Sequence, residues 1–156
     1  MPRLLSLVLA LALAAPSHAH EVTVGELTII HPHILQPAPT APTAGGFMAI
    51  VNNGTEADRL IGIEADFAAM VSLHESKIDA NGIGSMTALD GVDLPPGETV
   101  NLEHGGIHVM FMGLTGPLTE GEMRKVTLVF EHAGRVEIEF MIDPPKLGEA
   151  IGLWKA

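Results

Sequence analysis

Residues 105–114 read GGIHVMFMGL, and this stretch decides the fold. Two glycines favour a turn, and the residues after them predict a β-strand over 107–114. His108 and Met110 are two residues apart, so both side chains project from one face of that strand, about 7 Å apart along it. Met112 continues this face, although packing into the core is the commoner role for a strand methionine. The strand therefore carries two candidate metal ligands side by side.

Similar strand patterns recur along the chain at intervals of roughly ten residues. They cover residues 21–30, 46–51, 59–64, 69–75, 84–89, 99–103, 107–114, 125–130 and 135–142. The pattern predicts an all-β domain, a Greek-key β-barrel or sandwich of about nine short strands. Asn53-Gly54 predicts a hairpin turn, and residues 31–44, with four prolines, predict a long extended loop.

The amino-acid composition excludes several classes of function. The chain has 156 residues with 19 acidic and 8 basic side chains, a formal charge of −11. Such acidity argues against binding to nucleic acid, because no basic patch is available to displace counterions. The absence of cysteine excludes disulfides, iron–sulfur clusters, Cys-type zinc sites and blue copper centres.

The N-terminus predicts export. An apolar run follows Arg3, and Ser17 and Ala19 supply the small residues of a cleavage site, so residues 1–19 are predicted to be a signal peptide. Residues 20–143 would form a single β-domain, which carries the candidate metal ligands, and residues 144–156 a weakly ordered tail. We expect a periplasmic protein without stable membrane insertion.

Four residues offer a ligand set for a soft metal ion: His74, Met86, His108 and Met110. Two imidazoles and two thioethers suit Cu(I), whereas zinc, magnesium and calcium do not use thioether. The chemistry alone leaves an alternative open, because strand methionines are usually core residues and single histidines are usually structural.

The spacing of these residues resembles the signature of the periplasmic copper chaperones called PCuA(C). Eleven residues separate His74 from Met86, and twenty-one separate Met86 from the pair His108-x-Met110. The segments around residues 26–32, 46–53, 57–60 and 94–97 also resemble that family, so the likeness covers roughly residues 24–142. The chain departs from the family at Glu75, where the family often has Met, and at His33, where it commonly has Trp. Its tail also lacks, after Met141, the His and Met residues that some members carry for a second copper.

The resemblance implies a cupredoxin-like β-barrel that binds one Cu(I) per chain through His74, Met86, His108 and Met110. It implies a non-enzymatic carrier, expected to be a monomer, that passes copper toward the CuA centre of cytochrome c oxidase. Its partners would be a subunit of that oxidase or a thiol-bearing assembly protein.

Two alternatives belong to other classes. Cleavage after Ala19 would make His20 the N-terminal residue, whose amine and imidazole can chelate Cu(II). A copper-dependent redox enzyme could then use His20 together with His31 or His33, and these histidines are also candidates for a second copper. The other alternative is a β-sandwich assembly module that binds no metal.

Overall fold

A computed structural model describes residues 20–145, and every regular element within that range is a β-strand. The eleven strands are β1 (Glu21–Val24), β2 (Leu27–Leu35), β3 (Thr43–Asn52), β4 (Asp58–Glu64), β5 (Ala68–Ile78), β6 (Gly84–Leu89), β7 (Val92–Leu94), β8 (Thr99–Leu102), β9 (Ile107–Leu114), β10 (Met123–Phe130) and β11 (Gly134–Asp143). The predicted all-β class is confirmed. The predicted signal peptide and most of the predicted tail lie outside the described residues.

The count of eleven differs from the predicted nine for two local reasons. The segment predicted as one strand over 21–30 is two strands, because Gly25 adopts a positive φ of 58° and reverses the chain. The three-residue strand β7 was too short to give a periodic pattern. All nine predicted segments otherwise overlap strands of the structure.

The prediction of a long loop over residues 31–44 was wrong at both ends. Strand β2 continues to Leu35 and β3 begins at Thr43, so residues 36–42 alone connect them. Pro32 is tolerated within β2 because the β2–β3 register shifts between Ile30 and His33, where the ladder needs no proline N–H.

The strands form one curved sheet with the order β6-β5-β9-β3-β2-β11-β10-β4-β7, while β1 pairs with β2 and β8 pairs with β3. Strand β3 changes partner along its length: residues 43–46 pair with β9, and residues 48–51 pair with β8. The pairing of β2 with β11 is parallel. Among residues 20–145, no helix is long and apolar enough to cross a membrane.

The Asn53-Gly54 hairpin prediction was also wrong, because β3 and β4 do not pair with each other. The buried side chain of Asn52 instead organises this connection. Its Nδ2 donates to the carbonyl oxygens of Glu56 and Leu94, at 2.8 and 2.9 Å, and its Oδ1 accepts from Gly54 N–H at 3.0 Å. The turn therefore carries the chain to a different part of the sheet.

Phe111 lies at the centre of the core and is fully buried. Its ring contacts those of Phe67 and Phe140, with centroids 5.1 and 6.2 Å away. Gly46 on the neighbouring strand lies directly against it: a Cβ at Gly46 would come within 2.7 Å of the Phe111 ring and 3.3 Å of Val109 Cβ. The close approach of β3 to β9 therefore depends on glycine at position 46.

The carboxylate of Asp58 joins the start of β4 to the turn between β10 and β11. It accepts hydrogen bonds from the backbone N–H groups of His132, Ala133 and Arg59. Burial raises the pKa of Asp58, but the three backbone donors lower it by a larger amount. The pKa of Asp58 is therefore below its ordinary value. This interaction ties the β10–β11 turn to β4, the strand that pairs with β10.

We expect the substitution Gly46→Ala to destabilise the protein by about 1–3 kcal/mol, because the added methyl group has no space beside Phe111. Thermal or urea unfolding of the purified protein measures this change. Gly116→Ala is the matched control, since a Cβ there meets no atom within 4 Å. Equal stability of the two variants would contradict the close packing of Gly46 against Phe111.

Candidate metal centre

The strand register places the four predicted ligands on one face of the sheet. His74 on β5 is directly opposite His108 on β9, and Ser72 is opposite Met110. Ser76 of β5 is opposite Met86 of β6. Because directly opposite residues share a face and side chains alternate along each strand, all four ligands project on the same side.

His108 is held in one tautomer by the turn that precedes it. The side chain is buried, with 6% of the residue exposed, and its Nδ1 lies 3.1 Å from the carbonyl oxygen of Gly106. Because a carbonyl oxygen only accepts hydrogen bonds, Nδ1 must carry the proton. The lone pair of the neutral ring is then on Nε2, which is the state required of a metal ligand.

His74 has one nitrogen without a partner. Its Nε2 is 2.9 Å from Ser72 Oγ, while Nδ1 is buried and makes no hydrogen bond in the described structure. The ring centroids of His74 and His108 are 6.1 Å apart in an edge arrangement. A buried polar atom without a partner is unfavourable unless another group satisfies it. Nδ1 of His74, next to the His108 ring, is thus suited to bind a metal ion.

A groove of about 990 Å³ opens beside this pair. Met86, His108 and Met110 all line it, whereas His74 does not line it and reaches the group through its contact with His108. The Met86 side chain is exposed, with 52% of the residue accessible. The structure therefore gathers three predicted ligands in one groove, and the fourth, His74, lies next to His108.

Phe47 supplies an apolar wall to the groove. It is buried, and its ring centroid lies 6.4 Å from that of His108 and 6.2 Å from that of His104. Glu75 takes no part in this arrangement, because it faces the other side of the sheet from His74 and pairs with Lys77 at 3.0 Å. His104, in contrast, lines the groove.

The other residues considered from the sequence occupy distinct positions. Met48 is a core residue as predicted, whereas Met112 is half-buried on the ligand face, opposite Met70, rather than packed in the core. His31 and His33 belong to β2 and lie outside the groove lining. His20 Nε2 donates to the carbonyl oxygen of Glu139 at 3.2 Å.

Three groups that shape the centre were not predicted from the sequence. The Gly106 carbonyl and the Phe47 ring become neighbours of His108 through a turn and through strand pairing, whereas Ser72 lies two residues before His74 on β5. Ser72 could have been found from the sequence, because alternation in the predicted strand over 69–75 places it on the same face as His74.

Comparison with known proteins places this fold among copper-associated domains. A family model described as "Putative lipoprotein LpqE-like" matches residues 27–142. A protein of Leifsonia xyli subsp. xyli, "Putative lipoprotein Lxx21020", is 36% identical over 85 residues, which are 54% of this chain and 51% of that protein. The chain thus matches about half the length of this curated relative.

Solved structures match a larger share of this chain than the curated relative does. The copper-bound PCuAC domain from PmoF2 superposes with a TM-score of 0.69 and 32% identity, covering 81% of this chain and 99% of that domain. The solution structure of CuI-DR1885 from Deinococcus radiodurans gives a TM-score of 0.61 at 21% identity, over 81% of this chain and 83% of that one. This second likeness shows a shared fold.

The hydrogen bonds predict opposite tautomers for different histidines. In alkaline buffer, where imidazole is neutral, we expect His108 to carry its proton on Nδ1, because that atom faces the Gly106 carbonyl. His20 should carry its proton on Nε2, which faces the Glu139 carbonyl, and so serves as an internal control. Long-range nitrogen–proton NMR correlations of the rings distinguish the two forms. An Nε2–H form of His108 would contradict the proposed orientation of its lone pair.

Proposed function

The chain belongs to the LpqE-like family and its described residues form a PCuAC domain, and on this premise we propose that it is an exported carrier of Cu(I). The family resemblance drawn from the sequence is confirmed, as is the cupredoxin-like fold. The PmoF2 domain, 32% identical, is copper-bound in its solved structure. The proposed role is to bind and pass on copper, without catalysis.

The observation that carries the proposal is the cross-strand pair of His74 and His108 beside two thioethers. The lone pair on Nε2 of His108 and the unpartnered Nδ1 of His74 offer two nitrogen ligands, and Met86 and Met110 offer two sulfurs. A neutral set of two nitrogens and two thioether sulfurs favours a soft, singly charged ion. We therefore propose one Cu(I) per chain, bound by these four residues.

The accessibility of the site suits a carrier. Met86 lies on β6, the edge strand of the sheet, and is more than half exposed. Ile78 and Ile83, at the β5–β6 end, expose apolar side chains close to it along the chain. An acceptor protein could approach this edge and replace the thioether ligands one at a time, so that the ion is never released to water.

We further propose that the protein works in the periplasm and delivers copper to the CuA centre of cytochrome c oxidase, directly or through a thiol-bearing assembly protein. The predicted signal peptide supports export. Thiolate acceptors bind Cu(I) more strongly than thioethers do, so transfer toward them is downhill.

We expect Met86→Ala and Met110→Ala each to weaken Cu(I) binding by at least about tenfold, or roughly 1.4 kcal/mol, through the loss of one sulfur ligand. Anaerobic titration of the mature protein against a chromogenic Cu(I) chelator measures the affinity. X-ray absorption of the loaded protein should report two nitrogen and two sulfur neighbours.

The control for this experiment is Met123→Ala, because Met123 is a partly exposed methionine on β10, far from β6 in the sheet order. It should leave Cu(I) affinity unchanged. A loss as large as that of Met86→Ala, or an absorption spectrum with only nitrogen and oxygen neighbours, would contradict the assigned ligands.

Delivery can be tested separately from binding. Mixing the Cu(I)-loaded protein with the soluble apo CuA domain of an oxidase subunit should move copper to that domain, because its thiolates are the stronger ligands. NMR spectra of both proteins report the transfer, and a CuA domain lacking its cysteines is the control. Retention of copper by the carrier would overturn the proposed acceptor and leave Cu(I) binding intact.

A further inference from the structure

A second group of potential metal ligands lies on β2 and β11. His31, His33 and Asp143 each offer one ligand atom, and these three atoms lie within 4.8 Å of one another. The group is separate from the thioether site, because none of its members lines the groove. Its donors are two nitrogens and a carboxylate oxygen, without sulfur.

The backbone of β2 is distorted where this group forms. His31 has a positive φ of 48°, the only such value outside glycine among the described residues, and it lies in the register shift between Ile30 and His33. The left-handed region is unfavourable for residues with a side chain, and bulges commonly redirect a side chain beside a functional site. The N–H of His31 is satisfied by the carbonyl of His20 at 2.6 Å.

The distortion brings the two imidazoles together. The rings of His31 and His33 are stacked with centroids 4.3 Å apart, and Nε2 of His31 is 2.9 Å from Oδ2 of Asp143. Nδ1 of His33 lies 2.8 Å from the carbonyl oxygen of His31, so this nitrogen carries the proton and Nε2 holds the lone pair. His33 is therefore fixed in a tautomer that can bind a metal through Nε2.

Asp143 completes the group through tertiary structure. It is 112 residues from His31, and the parallel pairing of β2 with β11 brings the two together, with Asp143 opposite Leu35. Its carboxylate is 20% exposed and the His31 side chain 44% exposed, so an ion can enter from solvent.

We propose that His31, His33 and Asp143 form a second metal site, which takes a divalent ion of the Cu(II) type. Imidazole and carboxylate are the donors that such an ion prefers, and among the divalent ions of the first transition series Cu(II) binds most strongly to them. Ligands bound at about 2.0 Å on opposite sides of an ion are about 4 Å apart, so the three atoms need to close by less than about 1 Å.

An ordinary ion pair between His31 and Asp143 accounts for less of the geometry. It would require neither the stacked ring of His33 nor the left-handed backbone at His31. It also does not require a ring nitrogen of His33 to lie within 4.8 Å of the ligand atoms of both His31 and Asp143. A site with three converging donors explains all of these features together.

One aromatic side chain lies next to both sites. The Phe47 ring has its centroid 5.5 Å from that of His33 and 6.4 Å from that of His108. Their donors differ, so each site selects its own ion: the sulfur-containing site a soft monovalent one, and the site on β2 and β11 a harder divalent one.

The test uses the full mature chain carrying Met86→Ala and Met110→Ala, which disable the thioether site, and His20→Ala, which removes the imidazole that could chelate Cu(II) at the N-terminus. Addition of Cu(II) should give one saturable binding event, with an electron paramagnetic resonance spectrum that shows coupling to imidazole nitrogen. His33→Ala and Asp143→Asn, each added to this background, should weaken Cu(II) binding by at least tenfold. His132→Ala is the matched control, since it removes an exposed histidine of the β10–β11 turn and should change nothing.

Asp143→Asn preserves the size of the side chain, and circular dichroism verifies that each variant is folded. Cu(II) binding that is unaffected by both His33→Ala and Asp143→Asn, or the absence of any saturable Cu(II) binding, would overturn the proposal. Cu(I) affinity measured for the same two substitutions in the otherwise unaltered chain should remain unchanged. Failure at the second site is thereby distinguishable from failure of the Cu(I) carrier.

Discussion

The antiparallel register of β5 and β9 is the constraint on which the rest of the molecule depends. In β9, Val109 and Phe111 face the core and are fully buried, and His108 and Met110 consequently face the other side. A shift of one residue would exchange the two sets, placing imidazole and thioether in the core and a phenyl ring in the groove. The same register that forms the core thus sets His74 opposite His108.

The register is secured by packing rather than by the ligands themselves. Phe111 contacts Phe67 and Phe140, and Gly46 allows β3 to lie against it without a side chain between them. We therefore infer that the ligand face exists before any ion is bound. A preformed site with one unpartnered imidazole nitrogen loses little entropy when copper enters, which suits a protein that must bind and release its cargo repeatedly.

The two proposed metal sites arise from different kinds of backbone. The thioether site rests on regular antiparallel pairing, in which neighbouring residues of β5, β6 and β9 share a face. The site of His31, His33 and Asp143 rests on an irregularity: a bulge with a positive φ, next to the parallel contact of β2 with β11. Phe47 lies next to both sites, and the groove beside Met86 and Met110 is lined by none of the second group, so one sheet can present a soft and a hard donor set.

The sequence by itself determined the all-β class, most of the strand positions and the family. Alternation with period two and the turn residues are local properties, and the spacing of His74, Met86, His108 and Met110 is read directly from the chain. Local signals failed at Pro32, where a proline-rich segment continues a strand, and at Asn53-Gly54, where a turn signal joins strands that do not pair. Only the tertiary structure decided which strands are neighbours. It alone brought Phe47 to His108 and Asp143 to His31, because pairing between residues far apart in the chain depends on the packing of the whole sheet and leaves no periodic trace in the sequence.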